Sequence, residues 1–261
     1  MQDFWLCLSA FVAGAINSVA GGGTLLTFPA LDWSLGGSDV AAVAANATST
    51  VALLPGSIGG MWGYRRDFVG TRRWLKWLLP PSIAGGLIGA YLLVAMPAQS
   101  FKYAVPWLIL TASTLFTIQP WIAKKTGIGQ PHSEPAVGTM MVIAAFQLLV
   151  SIYGGYFGAG IGILMLSALA MMGLADIHRM NALKSLFGTC INGLAAALFI
   201  VKGQVHWRFA IPMAIAAVLG GVGGAMLARR MDRRVVRWTV IVVGFSLAIY
   251  YFLKTWKFFS L

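Results

Sequence analysis

Twice along this chain an apolar run breaks at clustered glycine and then resumes toward an asparagine. The first copy reads Asn17-Ser18-Val19-Ala20-Gly21-Gly22-Gly23-Thr24, then an apolar arm, then Ala45-Asn46-Ala47-Thr48. The second reads Gly154-Gly155-Tyr156-Phe157-Gly158-Ala159-Gly160-Ile161-Gly162, another arm, then Met180-Asn181-Ala182-Leu183-Lys184. Hydrocarbon holds no water to satisfy a broken backbone, so such irregularity is tolerated only in buried protein or beside a wet cavity. A matched pair of interrupted hydrophobic segments, one per half, points to a transporter's binding site.

The composition agrees with a bilayer as solvent. Of 261 residues, 59% are hydrophobic and 10% charged, with a mean hydropathy of +0.80. A soluble domain carries about 25% charged residues. The expected fold class is therefore an all-α polytopic membrane protein, with little chain left for a soluble domain. The 19 Lys and Arg against 7 Asp and Glu lie in short loops beside apolar spans, where they read as a topology signal and not as a nucleic-acid surface. Trp62, Trp74, Trp77, Trp207, Trp238 and Trp256 flank apolar runs, as an interfacial aromatic belt would. Cys7 and Cys190 sit in apolar segments and no metal-ligand spacing is present, so no catalytic residue, metal or cofactor is expected. Residues 4–20 lack a basic lead-in and have a counterpart in the second half, so they read as mature membrane protein.

Apolar segments fall at about 4–18, 22–35, 41–63, 77–95 and 103–122, and again at about 137–153, 161–175, 182–201, 209–228 and 238–253. A shift of 135 residues matches Asn46 to Asn181, Arg73 to Arg208, Gly85-Gly86 to Gly220-Gly221 and Lys102 to Arg237. A shift of 137 pairs Gly21 with Gly158, Gly23 with Gly160 and Asp39 with Asp176. Such self-similarity marks an internal repeat. It divides the chain into a first membrane repeat at 1–122, a cytoplasmic linker at 123–136 and a second membrane repeat at 137–261.

Two topologies compete. If the first two arms of each half make one complete broken span, the basic loops 64–76 and 229–237 fall on opposite sides and five charges are stranded outside. If each pair of arms is instead a re-entrant hairpin, three crossings follow per half and the second repeat is inverted. Arms of about 13–17 residues reach only about 20–25 Å, short of a ~30 Å core. Both basic loops then face the cytoplasm with Lys124, Lys125 and Arg179, thirteen charges against five (Lys102, Lys202, Arg208, Lys254 and Lys257). That balance favours inverted repeats with both termini on the non-cytoplasmic side.

Lys184 is the most singular side chain, a cation three residues past Asn181 in an apolar helix where Ser49 holds the equivalent place in the first half. A charge within a bilayer segment costs at least about 2.5–3.5 kcal/mol and marks a functional site unless it snorkels to the headgroups. Asn46 and Asn181 read as ligand contacts or as helix N-caps. Asn17, Thr24, Thr48 and Asn192 extend the polar set, with glue between helices as the structural alternative for the asparagines 17 and 192. The turns Gly21-Gly22-Gly23 and Gly158-Ala159-Gly160 would leave backbone N–H groups free at the start of a short helix, which favours anions. Gly85, Gly86, Gly89, Gly220, Gly221 and Gly224 have small-residue packing spacing instead. All seven carboxylates fall at segment ends or in loops, which disfavours a cation pump.

Asn17-x-x-Ala-Gly-Gly-Gly-Thr with Pro29, Ala45-Asn46-Ala47-Thr48, Gly63-Tyr64-Arg65-Arg66, the later glycine-rich turn and Met180-Asn181-Ala182-Leu183-Lys184 together resemble the TauE/SafE sulfite exporter family, from about residue 11 to 240. That resemblance implies a multi-pass carrier in the cytoplasmic (inner) membrane for small sulfur-containing anions such as sulfite or organosulfonates, typically exported. The residues themselves say only "anion". An importer, or a carrier of carboxylates or another oxyanion, stays open, as does the oligomeric state; an intramembrane enzyme or a non-transporting membrane protein has less to support it. The expected mechanism is alternating access by rocking of the halves around a pocket formed where the two turns meet.

Overall fold

A computed structural model describes residues 2–19, 22–125, 137–172, 174, 176–228 and 233–259; Gly21 and most of the expected linker lie outside them. Every regular element among the described residues is helical: α1 (Gln2–Val19), α2 (Thr24–Ser34), α3 (Asp39–Gly63), a 3-10 turn (Arg65–Phe68), α4 (Arg72–Ala95), α5 (Ala98–Lys125), α6 (Val137–Tyr156), α7 (Ile161–Met171), α8 (Ile177–Val201), α9 (Trp207–Ala228) and α10 (Arg233–Phe259). These ten helices follow the ten apolar segments. Their ends run further, through the basic residues at 72–76 and 233–237, because hydrogen bonding continues beyond the edge of hydrophobicity. Four helices, α3, α4, α6 and α8, are long and apolar enough to cross a membrane among the described residues.

The glycine-broken passages form hairpins with unequal arms. The arms expected at 13–17 residues are 18 residues in α1 and 20 in α6, with 11 each in α2 and α7. A long arm thus reaches ~27–30 Å at ~1.5 Å per residue, and a short one ~16 Å. Helix α6 continues through Gly154-Gly155, and a Cβ at Gly155 would run into the Gly86 carbonyl of α4. The missing side chain is used for close packing and not to end the helix.

Contacts at the helix ends sort them onto two faces. At one face the Gln2 amide donates to the Ser34 carbonyl at 2.8 Å, so the first hairpin begins and ends together. Asp39 pairs there with Lys102 at 2.6 Å, and Asp3 with Arg208 at 3.8 Å. At the other face, Arg73 reaches Met140 at the start of α6 (3.8 Å), and the Trp74 indole donates to the Met172 carbonyl after α7 (3.2 Å). The second hairpin therefore also begins and ends together, at the start of α4.

Two seams carry the closest packing, α1 on α9 and α4 on α6. Gly14 lies against the Ala217 carbonyl, Gly220 against Phe11 and Gly89 against Ile152, with no room for a Cβ at any of them. Small residues let membrane helices approach this closely. Near the first face an aromatic cluster joins α2, α5 and the second turn, with Phe28 5.5 Å from Phe157 and 6.1 Å from Phe101 between ring centres.

Candidate functional site

Helices α3 and α8 cross at the centre, and the two hairpin turns approach that crossing from α1 and α6. Between them lies a cavity of about 680 Å³. It runs from the turns toward the face that carries Tyr64, beside Arg65 and Arg66.

Of the residues picked out by sequence, Asn17, Gly22, Gly23, Thr24, Gly158, Lys184 and Asn192 line this cavity. Asn46, Thr48, Gly160 and Asn181 are not among its lining residues, and Gly21 lies outside the described residues. Gly160 is the left-handed N-cap of α7 at φ +77°, and Gly158 has φ +85°. A turn this tight needs glycine at both places. In the first turn Gly23 has ordinary helical dihedrals and its hydrogen is pressed onto the Ala13 carbonyl.

The first asparagine motif is a buried hub. Asn46 donates from Nδ2 to the Tyr156 carbonyl at 3.0 Å, satisfying the broken end of α6. Thr48 accepts from the His206 N–H at 3.0 Å, and Ser49 shares a 2.6 Å hydrogen bond with Thr27 of α2. One turn of α3 thereby fixes three other elements. Neither asparagine is an N-cap: α3 is capped by Ser38 and α8 by Asp176, whose side chains accept from Ala41 and from His178 and Arg179. Both helices start ahead of their apolar segments, at Asp39 and Ile177, and Asn46 lies two turns inside α3.

The second motif opens into the cavity. Lys184 sends its stem across Gly162 in the first turn of α7, with Cδ 3.3 Å from where a Cβ at Gly162 would sit. Its ammonium has no hydrogen-bond or ion-pair partner among the described residues, and it is the one charged side chain among the cavity's lining residues. Asn17, Thr24, Ser185 and Asn192 are likewise without side-chain partners there. Helices α2 and α7 both start at glycine without a side-chain cap. The cavity wall thus gathers unspent donors around a single cation.

Two stripes, Asn192 apart, were not singled out from the sequence. Gly56, Gly59, Gly60 and Gly63 line the α3 wall, and Ser185, Gly188, Thr189 and Asn192 line the α8 wall. Each set is spaced i, i+3, i+4, i+7, which places it on one helix face; that spacing is legible once small and polar residues are counted together. No described carboxylate is among the lining residues. Asp32, near the end of α2, is only 3% exposed, accepting from the Tyr251 hydroxyl at 2.8 Å with Lys254 at 3.7 Å. No group of three His, Cys, Asp or Glu fit to hold a metal occurs among the described residues.

A bundle of apolar helices around a cavity with polar groups set into a mainly apolar wall is the architecture of a multi-pass membrane protein. A family model described as sulfite exporter TauE/SafE matches residues 6–251, and the chain belongs to that family of membrane transporters. It is 28% identical over 260 residues to "Probable membrane transporter protein ORF9" of a Sinorhizobium species, covering 95% of this chain and 94% of that relative. It is 25% identical over 242 residues to a "Probable membrane transporter protein" of Haemophilus influenzae (91% and 89% covered). It is 26% identical over 239 residues to "Probable membrane transporter protein YfcA" of Escherichia coli K12 (90% and 84%). No solved structure matches the chain.

Proposed function

We propose that the chain is a secondary transporter that moves small sulfur-containing anions, sulfite or organosulfonates, outward across the cytoplasmic membrane by alternating access. The observation that carries this reading is the unpaired Lys184 ammonium beside the start of α7. A helix N-terminus bears roughly half a positive charge. Setting a cation next to it without a carboxylate leaves a local excess of positive potential that an anion relieves. Sulfonate or sulfite oxygens would accept from Lys184, from the first N–H groups of α7 and α2, and from the Asn17 and Asn192 amides. Asn46, Thr48 and Asn181 would support the site from behind its wall.

The end contacts support inverted repeats at 1–122 and 137–261, since the hairpins start and finish at opposite faces. Three crossings per half then put the basic residues around 65–76 in the cytoplasm, so both termini lie outside and the cavity opens inward. A negative interior drives each exported charge by about 2.3 kcal/mol per 100 mV, which needs no coupled cation. The cavity far exceeds one oxyanion, and Leu53, Val218 and Val222 contribute apolar wall. That favours an organic sulfonate over bare sulfite and keeps another small organic anion, such as a carboxylate, as the second reading. Thermal stabilisation of the purified protein by sulfite, sulfonates, sulfate and carboxylates tests it. Stabilisation by a sulfonate that disappears in Lys184→Ala is the expected result; an equal response in that variant overturns the site.

A further inference from the structure

The pattern of packing says which parts can move. Rocking of the two sequence halves would require the halves to separate cleanly, and they do not. The two closest seams, α1 on α9 and α4 on α6, both join one half to the other. Backbone meets backbone in them, at Gly14 and Ala217, Gly220 and Phe11, Gly89 and Ile152, and Gly155 and Gly86. In the second seam the Gln147 amide also donates to Ser82 Oγ at 2.9 Å, both residues fully buried. Packed interfaces of this kind do not deform continuously, so sliding them would expose backbone and stranded polar groups.

We propose that the units that alternate are exchanged between halves: α1, α2, α3 and α9 form one body, and α4, α6, α7 and α8 the other. This rests on the alternating-access reading above. Each body is a hairpin, the helix that follows it, and one helix taken from the opposite half. Within each body the contacts are extensive, whereas between the bodies the main contact is the crossing of α3 on α8. There Thr189 donates to the Ser57 carbonyl at 3.1 Å and Leu54 lies over Gly193.

Three further observations agree. Apart from Tyr64 in the α3–α4 connection, the lining residues among the described ones come from these two bodies, with Gly14, Asn17, Gly60 and Val222 on one side and Phe157 and Lys184 on the other; none of them is from α4, α5 or α10. Chain crosses directly between the bodies in the α3–α4 and α8–α9 connections. Each of these contains a left-handed glycine, Gly70 at φ +81° and Gly203 at φ +66°, which suits a hinge that must absorb a dihedral change. Finally, the bodies are closed against each other on the side away from the cavity mouth, by Asn46 on the Tyr156 carbonyl and by Phe28 on Phe157. Opening that side parts these two contacts while both glycine seams stay shut. Helices α5 and α10 pack mainly on each other and form a frame.

The test uses the full chain with Cys7→Ser and Cys190→Ser, reconstituted in oriented vesicles, with Ser185→Cys as reporter in the cavity. Labelling by an impermeant thiosulfonate is read from each face, independently of any substrate. Two linkages are compared, Ser82→Cys with Gln147→Cys inside one body, and Phe28→Cys with Phe157→Cys between bodies, each closed by a short bifunctional thiol reagent before the reporter is exposed. The expected result is labelling from both faces in the unlinked protein and in the first linkage, within about twofold in rate. The second linkage abolishes labelling from the far face only. Loss of far-face labelling in the first linkage overturns the exchanged bodies. One-sided labelling in the unlinked protein overturns alternation itself, while the anion site at Lys184 stands or falls by its own binding test. Should the buried pair fail to fold, spin labels at Trp62, Leu219 and His178, all on exposed positions, give the same answer. Trp62 to Leu219 keeps one narrow distance although it joins the two halves, and Trp62 to His178 populates two. A second distance between Trp62 and Leu219, or a single one between Trp62 and His178, refutes the proposal.

Discussion

Asn46 and Tyr156 lie 110 residues apart in sequence, and the amide of the first holds the carbonyl that helix α6 leaves unpaired where it breaks. The bond ties the middle of α3 to the turn that presents Phe157 and Gly158 to the cavity. Removing one partner of a buried hydrogen bond costs about 1–3 kcal/mol, because the other is stranded. Asn46→Ala should therefore lower the unfolding midpoint of the purified protein clearly. Affinity for a stabilising sulfonate should change only a few-fold, since Asn46 does not line the cavity. A large loss of affinity at unchanged stability would instead put the Asn46 side chain on the substrate.

The glycines divide by neighbourhood, and their substitutions should differ in sign. At Gly89 a side chain would collide with the Ile152 carbonyl, whereas around Gly59 and Gly60 there is open space. Overpacking typically costs about 1–3 kcal/mol and more where backbone must move. Gly89→Val should give little folded protein on size-exclusion chromatography. Gly60→Ala should match or exceed the parent in thermal stability, because alanine is the better helix former by roughly 0.8–1 kcal/mol. Equal yields of the two variants would contradict the seam.

Much of this arrangement was legible in the sequence, for definable reasons. Ten apolar segments became ten helices because a long uninterrupted apolar run in a bilayer must satisfy its backbone within itself. Glycine clusters marked both turns, and Asn17, Thr24, Lys184 and Asn192 came together on the cavity wall. What stayed hidden depends on partners distant in sequence. The strings set Lys184 against Ser49, but not that Ser49 is held by Thr27 while Lys184 projects over Gly162. Nothing local distinguishes a glycine that ends a helix from one, like Gly155, that admits a neighbouring backbone. Asp32 reads only as a carboxylate at a segment end, and its Tyr251 partner on α10 is 219 residues away.

That covered carboxylate makes a separate prediction. Asp32 accepts from Tyr251 through Oδ2, which also faces Lys254, and its Oδ1 has no hydrogen-bond partner among the described residues. Asp32→Ala strands the tyrosine hydroxyl and removes the link between α2 and α10, so stability should fall by about 1–3 kcal/mol. Asp32→Asn keeps an acceptor for Tyr251 and should lose less, since Lys254 is partly solvated and its ion pair is weak. Thermal melts of the two variants, compared with Tyr251→Phe, check the order. An Asn variant that loses as much as the Ala variant would place the main contribution in the charge.

Lys184 and Gly162 make the sharpest pair. With Cδ 3.3 Å from the position of a Cβ at residue 162, the lysine follows its course because glycine leaves the space. Gly162→Ala should push the stem aside by a few tenths of an ångström and weaken binding of a stabilising sulfonate several-fold, with the melting temperature of the free protein little changed. Lys184→Ala should remove most of that binding, and Lys184→Arg should restore part of it, since the larger guanidinium keeps the charge at an altered position. In the double variant the Gly162→Ala substitution should add almost nothing, because residues in contact are energetically coupled and the first change has already removed the group the second displaces. Isothermal titration of all four proteins reads the coupling directly. Additive losses would mean that Gly162 acts through the turn backbone and that the lysine's path over it is incidental.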